Sequence, residues 1–175
     1  MKILVLNGSP RKGGSTAALV EAFREGAESR DHEVETVCVG RMKINGCLAC
    51  EYCHGKGNGR CIQDDDMQAI YPRLEEAEMV LLASPVYYWS FSGQMQSCIT
   101  RFYAPGAPAA RKYALLLSSG SPGVYDAVIS QYKAILGFIG ARDLGIKVFN
   151  GENQKTEANL AEMRAFGASL RGDVE

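Results

Sequence analysis

The chain has 175 residues, 46% of them apolar, and its 19 Lys and Arg against 20 Asp and Glu leave a formal net charge of −1. That length and composition suit a single domain, residues 1–175, with a sizeable core. The charge balance argues against a general nucleic-acid binder, which carries a basic excess, and the longest apolar runs, such as MVLLA at 79–83, are too short to span a bilayer.

The chain opens on MKILVLNGSP. One Lys precedes a strand-like run, KILVLN at 2–7, and no secretory h-region or cleavage site follows, so a cytoplasmic location is expected. Thiols stay reduced there, and clustered cysteines then favour metal or redox chemistry over structural disulfides. From Thr16 to Ser29 the residues Ala18, Leu19, Ala22, Phe23 and Ala27 recur at helical spacing. VETVCV at 34–39 alternates like a second strand, and a cysteine-rich loop at 46–62 follows. A helical stretch from Asp66 to Ala77 contains Pro72, which must kink or restart it because proline lacks an N–H and crowds the preceding turn. Asp65 with Gln68 makes a capping pair for this stretch, a simpler reading of the acidic run 64–66 than a metal site. EMVLLAS at 78–84 is a third strand and SPVYYWSFSG a loop. Gln94–Tyr103 is a helix with Met95, Cys98, Ile99 and Phe102 on one face, and APGAPAA at 104–110 breaks the pattern. YALLLS at 113–118 is a fourth strand, Tyr125–Ile139 a helix, DLGIKVF at 143–149 a fifth strand and Thr156–Leu170 the last helix. The terminal GDVE is expected to fray.

Strands that read as buried on both faces, separated by helices, make an α/β fold with a parallel sheet covered on each side. Right-handed crossovers leave few topologies. The size suits a flavodoxin-like three-layer sandwich, a five-stranded sheet in the order 2-1-3-4-5. In such a sheet the loops after the strands open at the carboxyl edge, where ligands bind. Loops 8–15, 40–63, 84–92 and 119–125 therefore share one rim.

The first of these, Asn7–Thr16, reads NGSPRKGGST. Three glycines and a proline precede a helix start, so free backbone N–H groups and the positive end of the helix dipole face an anion. Ser9, Ser15 and Thr16 add hydroxyls and Arg11 a charge. The bland alternative is a plain turn with Ser15 as N-cap. Gly8, Gly13 and Ser15 match the frame GxxxxGK[ST], but Gly14 stands where the lysine belongs, and the strand at 78–84 ends in Ser84 rather than a magnesium-binding aspartate. A single terminal phosphate, as on FMN, suits the loop best. The third loop, 84–95, holds Tyr87, Tyr88, Trp89 and Phe91 among serines, behind Pro85. Such rings offer stacking faces for a planar heterocycle, or an aromatic cluster packed on the core or on a partner subunit. Gly93 is expected to let the next helix approach closely.

Asn7–Thr16 with Ser84–Phe91 and SGQMQSCITRF at 92–102 resembles the NADPH-dependent FMN reductase family of flavodoxin-like proteins, and the cysteine loop with IQDDDMQAIY at 62–71 resembles its iron–sulfur flavoprotein branch. The likeness covers residues 1–103 closely and 112–170 in layout. It implies that Ser9, Arg11, Gly14, Ser15 and Thr16 hold an FMN phosphate and that Pro85, Val86, Tyr87, Tyr88 and Trp89 line the flavin. It also implies that Ser119 and Gly120, in the loop 119–125, close the far side. The chain departs from the family in having Thr100, where an aspartate is common, before Arg101, and in Pro72.

Cysteine spacing alone, Cys47-x2-Cys50-x2-Cys53-x7-Cys61, is open to a metal cage, a disulfide pair or free thiols. Two-residue gaps let thiolates converge on one centre, whereas a zinc site usually separates two CxxC pairs more widely. The family resemblance implies that these four cysteines hold a [4Fe–4S] cluster, with Gly55, Gly57 and Gly59 giving N–H-rich turns around the sulfurs and Lys56 and Arg60 offsetting charge. His54 and His32 read as surface residues, Cys38 and Cys98 as buried small hydrophobes.

The resulting expectation is an FMN-dependent oxidoreductase passing electrons from NAD(P)H, or from a ferredoxin-like protein, to a quinone, a flavin or another small-molecule acceptor. The resemblance implies a homodimer or a dimer of dimers, and the charge balance and short apolar runs lead to the expectation of no nucleic-acid or membrane partner. The rivals are a non-enzymatic, flavodoxin-like electron carrier or iron–sulfur relay, and a zinc-stiffened binding protein without flavin. Tyr87 and Tyr88 are the nearest proton-bearing groups, and no general acid is assigned.

Overall fold

The structure is a computed structural model that describes residues 1–104 and 108–172, so the APGAPAA break and the GDVE end each lie partly outside the described residues. The strands β1 (Lys2–Asn7), β2 (Glu33–Val37), β3 (Met79–Tyr87), β5 (Lys112–Ser119) and β6 (Arg142–Asn150) form a parallel sheet in the order β2-β1-β3-β5-β6. A two-residue strand, β4 (Ser90–Phe91), runs antiparallel to β3. The five parallel strands thus follow the flavodoxin-like order.

The inner strands read as unbroken apolar runs because both faces are covered. Ile3 and Val5 turn to one face, Leu4 and Leu6 to the other. On the first face lie α1 (Ser15–Glu28) and α5 (Glu157–Ser169), which bury Leu19, Val20, Phe23, Met163 and Phe166 against Ile3, Val5, Met79 and Leu81. On the second lie α2 (Tyr71–Glu76), α3 (Gly93–Thr100) and α4 (Asp126–Ile139), which bury Leu74, Met95, Ile99, Tyr132 and Leu136. Helices α1 and α5 meet backbone to backbone: a Cβ on Gly26 would collide with the Arg164 carbonyl, and one on Gly167 with the Phe23 carbonyl. Among the described residues no helix is long and apolar enough to cross a membrane.

Several local expectations change. The second strand stops at Val37, and a 3₁₀ turn takes Val39–Arg41. The turn brings Gly40 so close to the Ser9 backbone that no Cβ would fit, and it leaves Cys38 half-buried rather than buried in a strand. Asp66–Ala69 is a separate 3₁₀ turn, and α2 restarts with Pro72 in its first turn, where a missing N–H is harmless. The third strand runs past Ser84 to Tyr87 and returns as β4, so the expected loop is largely a hairpin. Gly93 makes no close approach; Gly8 does, since a Cβ there would lie 2.8 Å from both Met95 Cβ and Ser92 Oγ. His32 is buried, not on the surface. Its Nδ1 lies 3.1 Å from the N-terminal amine and its Nε2 3.2 Å from the Leu170 carbonyl, so the imidazole joins the two ends of the chain.

Candidate functional site

At the carboxyl edge of β1, β3 and β5 lies an open cleft of about 860 Å³, its mouth included. Ser9, Arg11, Gly14, Ser15 and Thr16 line one side, Pro85, Val86 and Tyr87 another, and Ser119 and Gly120 a third. These are all the residues expected from the sequence except Tyr88 and Trp89, which sit at the hairpin tip beyond the lining. Ser118, Gly151, Glu152 and Gln154 join the wall unforeseen. They had a signal, since 151–154 follows the last strand and so opens on the same rim.

Loop 8–14 is held by its own short bonds. Asn7 Oδ1 accepts from the Ser9 amide at 2.9 Å, and Ser9 Oγ accepts from the Arg11 amide at 3.3 Å. Gly13 takes φ +64° to turn the chain into α1. The N-cap is Gly14, not Ser15, and no side chain caps the helix. Helix-initial N–H groups need a partner from outside the helix, and here the helix starts at the cleft wall with hydroxyls beside it. Thr16 Oγ1 lies 2.9 Å from Ser118 Oγ, both buried, so β5 fixes the first turn of α1. Lys155 Nζ donates to the Gly13 carbonyl at 2.7 Å and Gln154 Nε2 to the Ser119 carbonyl at 3.0 Å, which draws the loop after β6 over the cleft.

The hairpin pairs Val86 with Phe91 and Tyr87 with Ser90. Its two turn residues, Tyr88 and Trp89, have φ of +50° and +60°. Tight hairpins favour this geometry but normally give it to Asn and Gly. Bulky residues there are strained, and their rings stand edge to face at 5.6 Å with Tyr88 93% exposed.

All four loop cysteines line a second cavity of about 330 Å³, counted out to its mouth, together with Gln63, Arg101 and Tyr103. Cys47 and Cys50 are exposed, Cys61 is half-buried and Cys53 is buried, and all are free thiols. Burial pushes the Cys53 thiol up. Among the described residues no three His, Cys, Asp or Glu side chains are gathered around a single metal position. The expected glycine amides do not face the sulfurs: those of Gly55 and Gly57 donate to the Tyr52 carbonyl and that of Gly59 to the Cys53 carbonyl. Ala49 N does reach a sulfur, 3.4 Å from Cys47 Sγ, and the Cys53 and His54 amides act on the Cys53 thiol. Gly57 is needed because a Cβ would lie 2.7 Å from the Tyr52 ring.

The loop is tied down from several sides. Thr100, the family departure, accepts from the Cys47 amide at 3.2 Å. Gln68 Nε2 donates to the Cys61 carbonyl at 3.1 Å rather than back to Asp65. Exposed His54 has Nε2 2.9 Å from the Tyr103 carbonyl, with the rings 4.3 Å apart. Asp65 does cap its turn, accepting from Met67 N at 3.1 Å, and it also accepts from Asn45 N at 3.0 Å.

Arg101 was not singled out by sequence, and its ion-pair partner lies 36 residues away. It is 1% exposed. Its Nη1 donates to Asp65 Oδ2 at 2.7 Å and to the Asn45 carbonyl at 3.0 Å, while Nε and Nη2 are buried with no partner among the described residues. Burial alone would push the Asp65 carboxyl up. The Arg101 guanidinium and the Asn45 and Met67 amides outweigh it and hold the carboxyl below its ordinary range. Burial pushes the Tyr71 hydroxyl, which donates to the Arg101 carbonyl, up to about 12.

A family model described as NADPH-dependent FMN reductase matches residues 1–156. An iron–sulfur flavoprotein of Archaeoglobus fulgidus is 40% identical over 106 residues, 61% of this chain and 47% of that protein. One of Methanosarcina thermophila is 34% identical over 101 residues, 58% of this chain and 52% of that protein. The chain spans about half the length of these curated relatives. Among solved structures, an NAD(P)H:quinone oxidoreductase from Methanothermobacter marburgensis shares the fold with a TM-score of 0.79 at 18% identity, over 100% of this chain and 98% of that one.

Proposed function

Because the chain belongs to the NADPH-dependent FMN reductase family, we propose that it is an FMN-dependent oxidoreductase carrying electrons from NAD(P)H to a small acceptor such as a quinone or a flavin. The observation that carries this reading is the start of α1, uncapped by any side chain and opening on the cleft beside Ser9, Ser15 and Thr16. Bound there, FMN would supply hydride or single-electron chemistry. The chain would do the rest. The Ser9–Thr16 loop would anchor the phosphate, each hydrogen bond to the charged group contributing roughly 1.5–3 kcal/mol. Pro85, Val86 and Tyr87 would flank the ring, and Ser119, Gly120 and Gln154 would shield its far side from water. The exposed Tyr88–Trp89 tip suits a second copy of the chain, which would complete a homodimer over the cleft.

The test is the pair Ser15→Ala with Thr16→Ala. Loss of about 1.5 kcal/mol or more of binding raises the FMN dissociation constant at least about tenfold with the circular-dichroism spectrum unchanged. An unaltered constant removes the phosphate assignment.

A second feature extends the reading. Four free cysteines line one cavity, and Arg101, in its wall, has Nε and Nη2 buried without a partner among the described residues, which suits a sulfur-rich anion. Cys47, Cys50, Cys53 and Cys61 would hold a [4Fe–4S] cluster that supplies one-electron transfer, giving a ferredoxin-like donor a way in. Anaerobic iron and sulfide assays of the purified protein decide it.

A further inference from the structure

The unused half of Arg101 is the most unusual polar feature in the molecule. A buried N–H without a partner costs about 1–3 kcal/mol, and more on a charged group. Yet this guanidinium is 1% exposed, with Nε and Nη2 both unmatched among the described residues. It is not misplaced by a loose environment. Nη1 is fixed by Asp65 and the Asn45 carbonyl, and the backbone carbonyl accepts from the Tyr71 hydroxyl. The Arg101 side chain is part of the wall that Cys47, Cys50, Cys53 and Cys61 share. The preceding residue, Thr100, accepts from the Cys47 amide. The end of α3 therefore both braces the cysteine loop and sets a fixed positive charge with two unmatched N–H groups in the wall of its cavity, beside the Tyr71 hydroxyl.

We propose that Arg101 sets the reduction potential of the cluster that these four cysteines would hold, through its fixed charge and its unmatched N–H groups at the cavity wall. This rests on the cluster reading above. Four thiolates around the cluster leave a net anion, and one-electron reduction adds a further negative charge. A fixed guanidinium stabilises the reduced form more than the oxidised form, and hydrogen bonds to sulfur act in the same direction. Arginine suits the place because its planar fork offers several donors at once and stays charged when buried, whereas lysine offers a point charge. Asp65 opposes the effect: it aims the guanidinium through Nη1 but brings a carboxylate near the same anion. The two residues, though paired, therefore act on the potential with opposite signs.

The experiment is an EPR-monitored redox titration of the anaerobically purified protein and of Arg101→Met, Arg101→Lys, Asp65→Asn and the double variant Asp65→Asn/Arg101→Met. Iron, sulfide and FMN are assayed in each. A wild-type chain without cluster iron sinks the cluster reading itself and is seen before any variant is made. With the cluster present, Arg101→Met is expected to lower the one-electron reduction equilibrium at least tenfold, a shift of about 59 mV. Arg101→Lys falls between it and wild type, and Asp65→Asn moves the other way. The double variant, which leaves no uncompensated charge, carries the comparison if Arg101→Met fails to fold. A midpoint unmoved in Arg101→Met and Arg101→Lys, or in the double variant relative to Asp65→Asn, or a midpoint moved in the same direction by Asp65→Asn, overturns the proposal, because a merely structural brace would act alike through both partners. Should the Arg101 variants lose iron, retention in Asp65→Asn supports a direct role for the guanidinium, and loss in both overturns it.

Discussion

Replacing Asp65 by Asn tests how the cysteine loop is anchored without touching a cysteine. The carboxylate is 7% exposed and its partner guanidinium 1%, with Nη1 2.7 Å from Oδ2. Removing one partner of a buried pair costs about 3–5 kcal/mol, since it leaves a charge without compensation. Asn keeps one acceptor for the Met67 amide, so the lower end applies, about 3 kcal/mol. For a chain of this size each kcal/mol moves the melting temperature by about 2–4 °C, which gives a fall of about 6–12 °C. The assay is urea and thermal unfolding followed by circular dichroism, with exposed Asp64→Asn as a control expected to stay within about 0.5 kcal/mol. The pH dependence has a definite sign. The Asp65 carboxyl lies below its ordinary value of 3.8 in the folded chain. Its contribution is thus complete above that value and disappears as pH falls through the lower, folded one. The difference between wild type and variant should be flat from neutral pH down to the ordinary carboxylate range and shrink only in stronger acid. A loss under about 1 kcal/mol, or a difference that widens as pH falls, refutes the reasoning.

Gly26→Ala drives a methyl into the Arg164 carbonyl at the α1–α5 contact, and overpacking of this kind should lower stability by about 1–3 kcal/mol; an unchanged urea midpoint would show that the helices slide apart freely. Tyr88→Asn with Trp89→Gly gives the hairpin the residues its turn prefers. Relief of about 1–2 kcal/mol of left-handed strain per residue, less the entropy of the new glycine and one lost ring pair, should leave the free protein about 1 kcal/mol more stable. A net destabilisation in thermal melts would place the strain elsewhere. Cys50→Ala should abolish cluster iron while FMN binding persists, and iron retained in that variant removes Cys50 from the ligand set.

The sheet was legible because its inner strands carry an unmistakable pattern. MVLLA and YALLL have no polar face, and only strands covered on both sides tolerate that. That loop 8–16 turns into a helix at the cleft wall was legible too, since three glycines and a proline mark a strand–helix junction. The hairpin was not. Tyr88 and Trp89 occupy positive φ, a conformation that sequence reading assigns to Gly or Asn, so a strand continuing through Ser84-Pro85 looked like a loop. His32 misled because a histidine in a polar turn gives no sign that both chain ends close over it. Arg101 and Asp65 escaped for the plainest reason: each has an ordinary local role, and the pairing exists only once the crossover from β2 to β3 has folded.

Helix α3 links the two sites, the cleft at its first turn and the cysteine cavity at its last. Its cap, Ser92, accepts from the Met95 amide and donates to the Gly8 carbonyl at 2.7 Å, so the helix begins against the loop after β1. Eight residues later it ends in Thr100, which takes the Cys47 amide, and Arg101 follows at once against the cysteine cavity. At 1.5 Å per residue that rod is about 12 Å long, and it buries Met95, Cys98 and Ile99 in the core between its ends. A change at either loop must therefore be absorbed by the loop itself, since the helix between them is pinned at its cap, along its buried face and at its last turn. The cluster and flavin proposed for the two sites would be held at a fixed separation by this element, which would fix how far single electrons travel between them, while the two reduction potentials would set the direction.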